Sequence, residues 1–229
     1  MLIIFFELDW KTNFISFLEP ITAKTTPIAI AIIKSSKTVI INTIVNSGNC
    51  KYLGFVFYPN SPRNLTIEQS QRLTTIVPNK IKKVAVLVKP KNHFIEKIKD
   101  QFDYLQVYDV SPSRLNELKI LFNKKIIQAI KIKNIEDVNL YKQYIGIADE
   151  FLFDSSGMEK SFSFDWSYLK NIEIDGWFLA GGININNLDK AKKISQKIDI
   201  SSGLEDNPGE KSVKKVLDFL AKVKKYDEN

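Results

Sequence analysis

"GWFLAGGININNLDKAKKISQKIDISSGLE", residues 176–205, decides the fold. An apolar run ends on Gly181-Gly182, a capped helix begins within "NINNLDKA", and a second run, "KIDI", ends on Ser201-Ser202-Gly203. Strand, helix and strand in so short a span form the βαβ unit of a parallel sheet. Small residues follow both strands. There they leave backbone N–H groups exposed near a helix start, an arrangement that receives a phosphate. A single Gly-Gly turn would say little, because turns use glycine for its φ freedom alone. Two such loops at adjacent strand ends point to a phosphate.

The same rhythm extends toward the N-terminus. Candidate strands lie at 28–34, 52–58, 83–88, 104–109, 126–132 and 150–155, with 176–181 and 197–202 completing the set. Helical patterns separate them. "TVIINTIVNSG" ends on glycine as a C-terminal cap should, Thr66 and Gln69 have capping-box spacing, and Ser111 precedes Pro112 at a helix start. Eight alternating units without a dinucleotide-binding glycine fingerprint predict an α/β chain folded as a (β/α)8 TIM barrel rather than an open sheet. Residues 27–229 read as that single barrel domain. Residues 1–26 stand outside the rhythm as an N-terminal segment, either an extra strand and loop or a helix covering the barrel bottom, with no function assigned.

Composition sets the class. The chain has 229 residues, 44% hydrophobic and 26% charged, enough for one large core. Its apolar runs, such as "IAIAII" at 28–33, fall far short of the roughly 20 residues that span a bilayer. The opening "MLIIFFELDW" lacks a basic flank and meets Glu7 and Asp9 early, unlike a signal peptide. One cysteine, Cys50, excludes an internal disulfide framework and fits a reducing cytoplasm. The net charge of +7 is spread over helices and mixed with acids. That speaks against a nucleic-acid partner and for a basic surface that draws anionic substrates.

In a barrel, function sits where strands end. Those ends hold Ser35, Ser36, Arg63, Lys89, Asp109, Asp154, Gly181, Gly182, Ser201, Ser202 and Gly203. Asp154 closes the apolar "EFLFD", where desolvation raises a carboxyl pKa and keeps acid available near neutral pH; the alternative is an N-cap or Asx turn. Arg63 follows Pro59 and Pro62, which fix its loop so that the guanidinium can fork onto a carboxylate. Its alternative is a salt bridge.

Four stretches together, "YLGFVFYPNSPRN" (52–64), "FLFDSS" with "FSFDW" (151–156, 162–166), "WFLAGGININN" (177–187) and "IDISSGLEDNPGEK" (198–211), resemble the phosphoribosylanthranilate isomerase family of tryptophan biosynthesis. The resemblance spans about residues 37–225. It implies a barrel enzyme without metal or cofactor that catalyses an Amadori rearrangement of a phosphorylated aminoaldose. It implies that Asp154 is the general acid, that Arg63 holds the anthranilate carboxylate, and that Gly181, Gly182, Ser202 and Gly203 hold the phosphate. The expected partner is a phosphorylated small molecule, with no nucleic acid and no membrane, and the protein is expected in the cytoplasm as a monomer or homodimer.

The chain departs from the family pattern at three places. The family's general base is a cysteine in Lys-x-Cys-Gly on strand one, and that position falls on Ile33. Lys34, Ser35 and Ser36 follow it as candidate substitutes. Lys34 would need a depressed pKa. Cys50 lies at the opposite end of the barrel and reads as a small core residue, and His93, the sole histidine, reads as an exposed helix residue. The family's Gln-Leu-His-Gly is "QVYD" (106–109) here, and its glycine-rich loop after strand six is "GMEKS" (157–161). Besides an isomerase, these departures suit a phosphate-binding pseudoenzyme or an isomerase of another phosphorylated aminosugar.

Overall fold

The structure, a computed structural model, describes residues 2–7, 37–48, 50–155 and 163–227. Eight strands close into a barrel in the order β1 to β8. They are β1 (Leu2–Glu7), β2 (Tyr52–Phe57), β3 (Lys82–Val88), β4 (Tyr104–Tyr108), β5 (Lys125–Ile132), β6 (Glu150–Ser155), β7 (Phe178–Leu179) and β8 (Lys197–Ile200). From β2 to β8 every neighbouring pair is parallel. β1 runs antiparallel to both of its neighbours, with Ile3 opposite Gly54 and Phe5 opposite Asp199. Part of the N-terminal segment is thus a wall strand of the barrel. The candidate strand at 28–34 lies outside the described residues, as do Ile33, Lys34, Ser35 and Ser36.

The parallel strands are buried largely on both faces, which is why most of them read as nearly continuous apolar runs. Val56, Val84, Val86, Ile127, Ala129, Leu152, Phe178 and Ala180 fill the barrel interior. The alternate residues, among them Leu53, Phe55, Ala85, Leu105, Ile130, Phe153, Leu179 and Ile198, pack outward under the helices. Truncating one of these large side chains to alanine costs about 2–5 kcal/mol. The floor of the interior is polar: Lys197 pairs with Glu150 at 2.8 Å, and the Tyr52 hydroxyl donates to Glu150 at 3.3 Å. Tyr52 packs edge-on against Tyr104 and Phe178 above that pair.

The helices α1 (Lys37–Ser47), α2 (Ile67–Thr74), α3 (Asn92–Ile98), α4 (Pro112–Phe122), α5 (Leu188–Ile194) and α6 (Val213–Asp227) cover the wall. Local chemistry sets their starts. Thr66 and Gln69 form the expected reciprocal capping box, and the Ser111 hydroxyl accepts from the Arg114 amide ahead of Pro112. Two connections shorten into 3-10 turns, Glu136–Tyr144 after β5 and Trp166–Asn171 after β6. β7 is shorter than its apolar run because Gly176 and Gly181, both at positive φ, turn the chain at each end. β8 stops at Ile200 because Ser202 already begins a 3-10 turn. Cys50 is buried, its thiol 3.0 Å from the Tyr52 carbonyl, and His93 is exposed on α3, as the sequence predicts.

Candidate active site

At the C-terminal ends of the parallel strands lies a cavity of about 140 Å³ lined by residues of β2 to β8 and their loops. Register places its acids. Phe153, Leu179 and Ile198 are level with one another across β6, β7 and β8. One step further toward the cavity, Asp154, Ala180 and Asp199 form the next row, facing inward. With strands about 4.8 Å apart, the two aspartate backbones stand roughly 10 Å from each other, separated only by the small Ala180. Both carboxyl groups line the cavity.

Their surroundings differ. The Tyr108 hydroxyl donates to Asp154 Oδ2 at 3.1 Å, and the Ser155 amide donates to Oδ1 at 2.8 Å. Gln106, buried on β4, donates to the same Tyr108 hydroxyl at 3.1 Å, so Gln106, Tyr108 and Asp154 form a relay. Burial pushes the Asp154 carboxyl up, and these hydrogen bonds together with the Lys131 charge offset part of that rise. Burial, together with the charges of Asp154 and Asp199, pushes the Tyr108 phenol well up, so it stays a donor. Asp199 is 6% exposed, and its Oδ1 has no hydrogen-bond partner among the described residues. Burial first, then the Asp154 charge, push it well above the usual carboxylate range, against the pull of Lys211 and Arg63.

Arg63 reaches the cavity from the loop after β2, which is tightened by the Ser61 amide donating to the Tyr58 carbonyl. Its guanidinium forks onto Glu205, with Nε to Oε1 at 2.8 Å and Nη2 to Oε2 at 2.7 Å. Lys211 binds the other side of Glu205 and the Ser201 carbonyl, and the Gly209 amide donates to Glu205 Oε2. Burial alone would raise the Glu205 carboxyl, but Arg63 and Lys211 hold it down at about 2. Burial lowers Lys211 to about 8, with Glu205 resisting. The cluster carries one net positive charge beside the cavity.

The loops after β7 and β8 are packed so closely that only glycine fits. Gly181 and Gly182 have φ of 85° and 71°. A Cβ on Gly181 would stand 2.8 Å from the Ser155 amide nitrogen, and one on Gly203 would stand 2.1 Å from the Ile183 carbonyl oxygen. Asn187 ties the first loop by accepting from the Asn184 amide and donating to the Gly182 carbonyl. The two glycine loops therefore touch, and Gly181, Gly182 and Ser202 all face the same cavity.

The sequence model of the N-(5'-phosphoribosyl)anthranilate isomerase family matches residues 30–222. The chain belongs to this family. It is 34% identical over 189 residues to the N-(5'-phosphoribosyl)anthranilate isomerase of Brucella canis, covering 77% of this chain and 85% of that protein. The crystal structure of the phosphoribosyl anthranilate isomerase from Thermotoga maritima superposes with a TM-score of 0.74 at 25% identity, over 84% of this chain and 96% of that one. A further solved isomerase, bound to reduced 1-(o-carboxyphenylamino)-1-deoxyribulose 5-phosphate, shares the fold at 24% identity, with a TM-score of 0.69 over 84% of this chain and 96% of its own.

Of the site residues expected from the sequence, the structure brings Arg63, Asp154, Gly181, Gly182 and Ser202 to one cavity, with Gly203 packed against Ile183 and Asn184. Lys34, Ser35, Ser36 and the "GMEKS" loop fall outside the described residues. Asp109, at φ 56°, pairs with Lys131 at 2.6 Å on the rim. Lys89, at φ 44°, receives the same left-handed turn one strand earlier. Sequence reasoning missed Asp199, Tyr108 and Glu205. The available signal for Asp199 was alternation: Lys197 and Asp199 are two apart, so one face of "KIDI" is charged. Among the described residues no helix is long and apolar enough to cross a membrane.

Proposed function

We propose that this chain catalyses the Amadori rearrangement of N-(5'-phosphoribosyl)anthranilate to 1-(o-carboxyphenylamino)-1-deoxyribulose 5-phosphate, a step of tryptophan biosynthesis. The observation that carries this reading is the Asp154 carboxyl, raised by burial, lining one cavity with the glycines of two loops and Arg63. The substrate phosphate sits against the backbone of Gly181, Gly182, Ser202 and Gly203, where the loops after β7 and β8 pack against each other. Arg63, oriented by Glu205, presents positive charge to the anthranilate carboxylate.

Asp154 protonates the furanose ring oxygen. As the C1'–O bond breaks, the anilino nitrogen lone pair forms the C1'=N bond of a Schiff base. Loss of the C2' proton then gives an enolamine, which tautomerises to the ketone. Burial favours this chemistry because it holds a proton on a carboxyl group near neutral pH.

The test generates phosphoribosylanthranilate in situ and follows the loss of its fluorescence. Turnover that is lost in Asp154→Asn supports the isomerase. Binding of the reduced product without turnover marks a pseudoenzyme. Turnover that is indifferent to Arg63→Met points to a phosphorylated aminosugar lacking the carboxylate.

A further inference from the structure

Removal of the C2' proton needs a base, and the candidates expected from the sequence, Lys34, Ser35 and Ser36, lie outside the described residues. We propose that Asp199 is that base, a catalytic carboxyl group that works with Asp154 and shares one proton with it. This rests on the isomerase reading above.

Three observations place Asp199 in the role. It faces the same cavity as Asp154, in the same row of the barrel, with Ala180 between the two in that row. It sits on β8, at the end of the parallel strands where the cavity lies. Finally, it is more than nine-tenths buried, yet Oδ1 has no partner among the described residues. A buried carboxyl oxygen costs free energy unless something it serves supplies the partner. Asp199 lines the cavity, and an entering substrate brings the polar groups that could supply that partner.

The charged groups around it fit the work. Asp154 and Tyr108 face it from β6 and β4, Arg63 and Lys211 approach from the loop after β2 and from the segment after β8, and Glu205 lies between those two cations. Lys131 stands beyond Asp154. Two carboxyl groups raised by burial in one row do not both ionise cheaply, so the pair retains a proton near neutral pH and titrates as a unit. Burial pushes both carboxyl groups up, and the Asp154 charge pushes Asp199 further in the same direction. In the reactive arrangement Asp154 carries the proton and Asp199 is free to accept one.

The proton balance closes. Asp154 gives its proton to the ring oxygen as C1'–O breaks and C1'=N forms. Asp199 takes the proton from C2', and the C2'–H electron pair becomes the C1'=C2' bond while the C1'=N pair returns to nitrogen. Tautomerisation then places a proton on C1' and releases one from O2', which restores both carboxyl groups. No oxidant or further reactant is required.

The experiment compares wild type, Asp199→Asn and Asp154→Asn on substrate carrying hydrogen or deuterium at C2'. Binding of the reduced product serves as the check that each variant is folded. The expected result for Asp199→Asn is a kcat lower by about 10²- to 10⁴-fold, as for loss of a general base, with KM little changed and a larger C2' isotope effect. Asp154→Asn loses rate without that increase, since its defect lies in ring opening. Asp199→Cys recovers part of the lost rate, with activity climbing into the thiol titration range.

An Asp199→Asn protein with the kcat and isotope effect of wild type overturns the role of Asp199 and leaves the isomerase intact. No turnover by wild type overturns the isomerase reading, and the role of Asp199 with it. If Asp199→Asn does not bind the reduced product, Asp199→Cys decides: a lower rate with an unchanged isotope effect counts against the proposal.

Discussion

Tyr108 donates its phenolic hydrogen to Asp154 Oδ2 across 3.1 Å and is itself held by Gln106. The bond favours the Asp154 carboxylate and so lowers a pKa that burial raises. Removing it in Tyr108→Phe lets the Asp154 carboxyl rise further. The acid form then persists to higher pH, and the basic limb of the kcat profile moves upward. Hydrogen bonds to charged groups are worth about 1.5–3 kcal/mol, so kcat below that limb falls by roughly tenfold as the acid weakens. A kcat profile between pH 5 and 9 checks both. An unmoved limb would separate Tyr108 from the chemistry.

Asp199 also sets a stability slope. Its folded pKa lies well above its unfolded one, so the native state binds the proton more tightly. Its contribution is therefore fully present in acid and is lost as pH rises from about 4 toward the folded value, by up to about 1.4 kcal/mol per pH unit. Asp199→Asn removes the titration. The melting temperature of the variant relative to wild type should rise between pH 5 and pH 8. Parallel melting curves at the two pH values would show that Asp199 carries no buried charge.

Glu205 has the opposite sign. Arg63 and Lys211 hold it at about 2, so its ion pairs stabilise the fold above its unfolded pKa and are lost as pH falls toward 2. Glu205→Gln leaves two cations facing each other in a largely buried site, and breaking such a pair costs about 3–5 kcal/mol. At pH 7 the variant should unfold at clearly lower denaturant concentration, and the gap should narrow as pH drops from about 5 to 3. Because Arg63 loses its clamp, KM should rise as well.

Where the sequence was legible, the controlling physics was local. The Thr66–Gln69 box and the Ser111-Pro112 start are settled within one helical turn, so both could be read directly. The wall strands from Tyr52 onward were legible because burial on both faces leaves one continuous apolar signature. What was not legible depends on distant pairing. Glu205 meets Arg63 across 142 residues, and nothing in "DNPGEK" or "NSPRN" announces it. Asp199 reads as one polar residue in a short strand until register sets it level with Asp154. Leu2–Glu7 joins the barrel antiparallel, a closure that no alternation of strands and helices predicts.

The glycine loops give the last prediction. A methyl group on Gly203 would stand 2.1 Å from the Ile183 carbonyl oxygen, and backbone atoms on both sides cannot yield as the tip of a flexible side chain does. Gly203→Ala must therefore push the loop after β8 away from the loop after β7. Overpacking of this kind costs about 1–3 kcal/mol, and most of that strain falls on the loops because the wall beneath them is braced by Ile198 and Leu179. The variant should stay folded but bind inorganic phosphate at least about tenfold more weakly, one factor of ten being 1.4 kcal/mol. Gly48→Ala, strained by its φ of 77° but with nothing within 4 Å of the added Cβ, is the control for glycine replacement away from the cavity and should leave phosphate affinity unchanged. Titration calorimetry with phosphate on both variants separates the two cases. Equal affinities would move the phosphate away from these loops, because no anion held by amides of both could tolerate their separation.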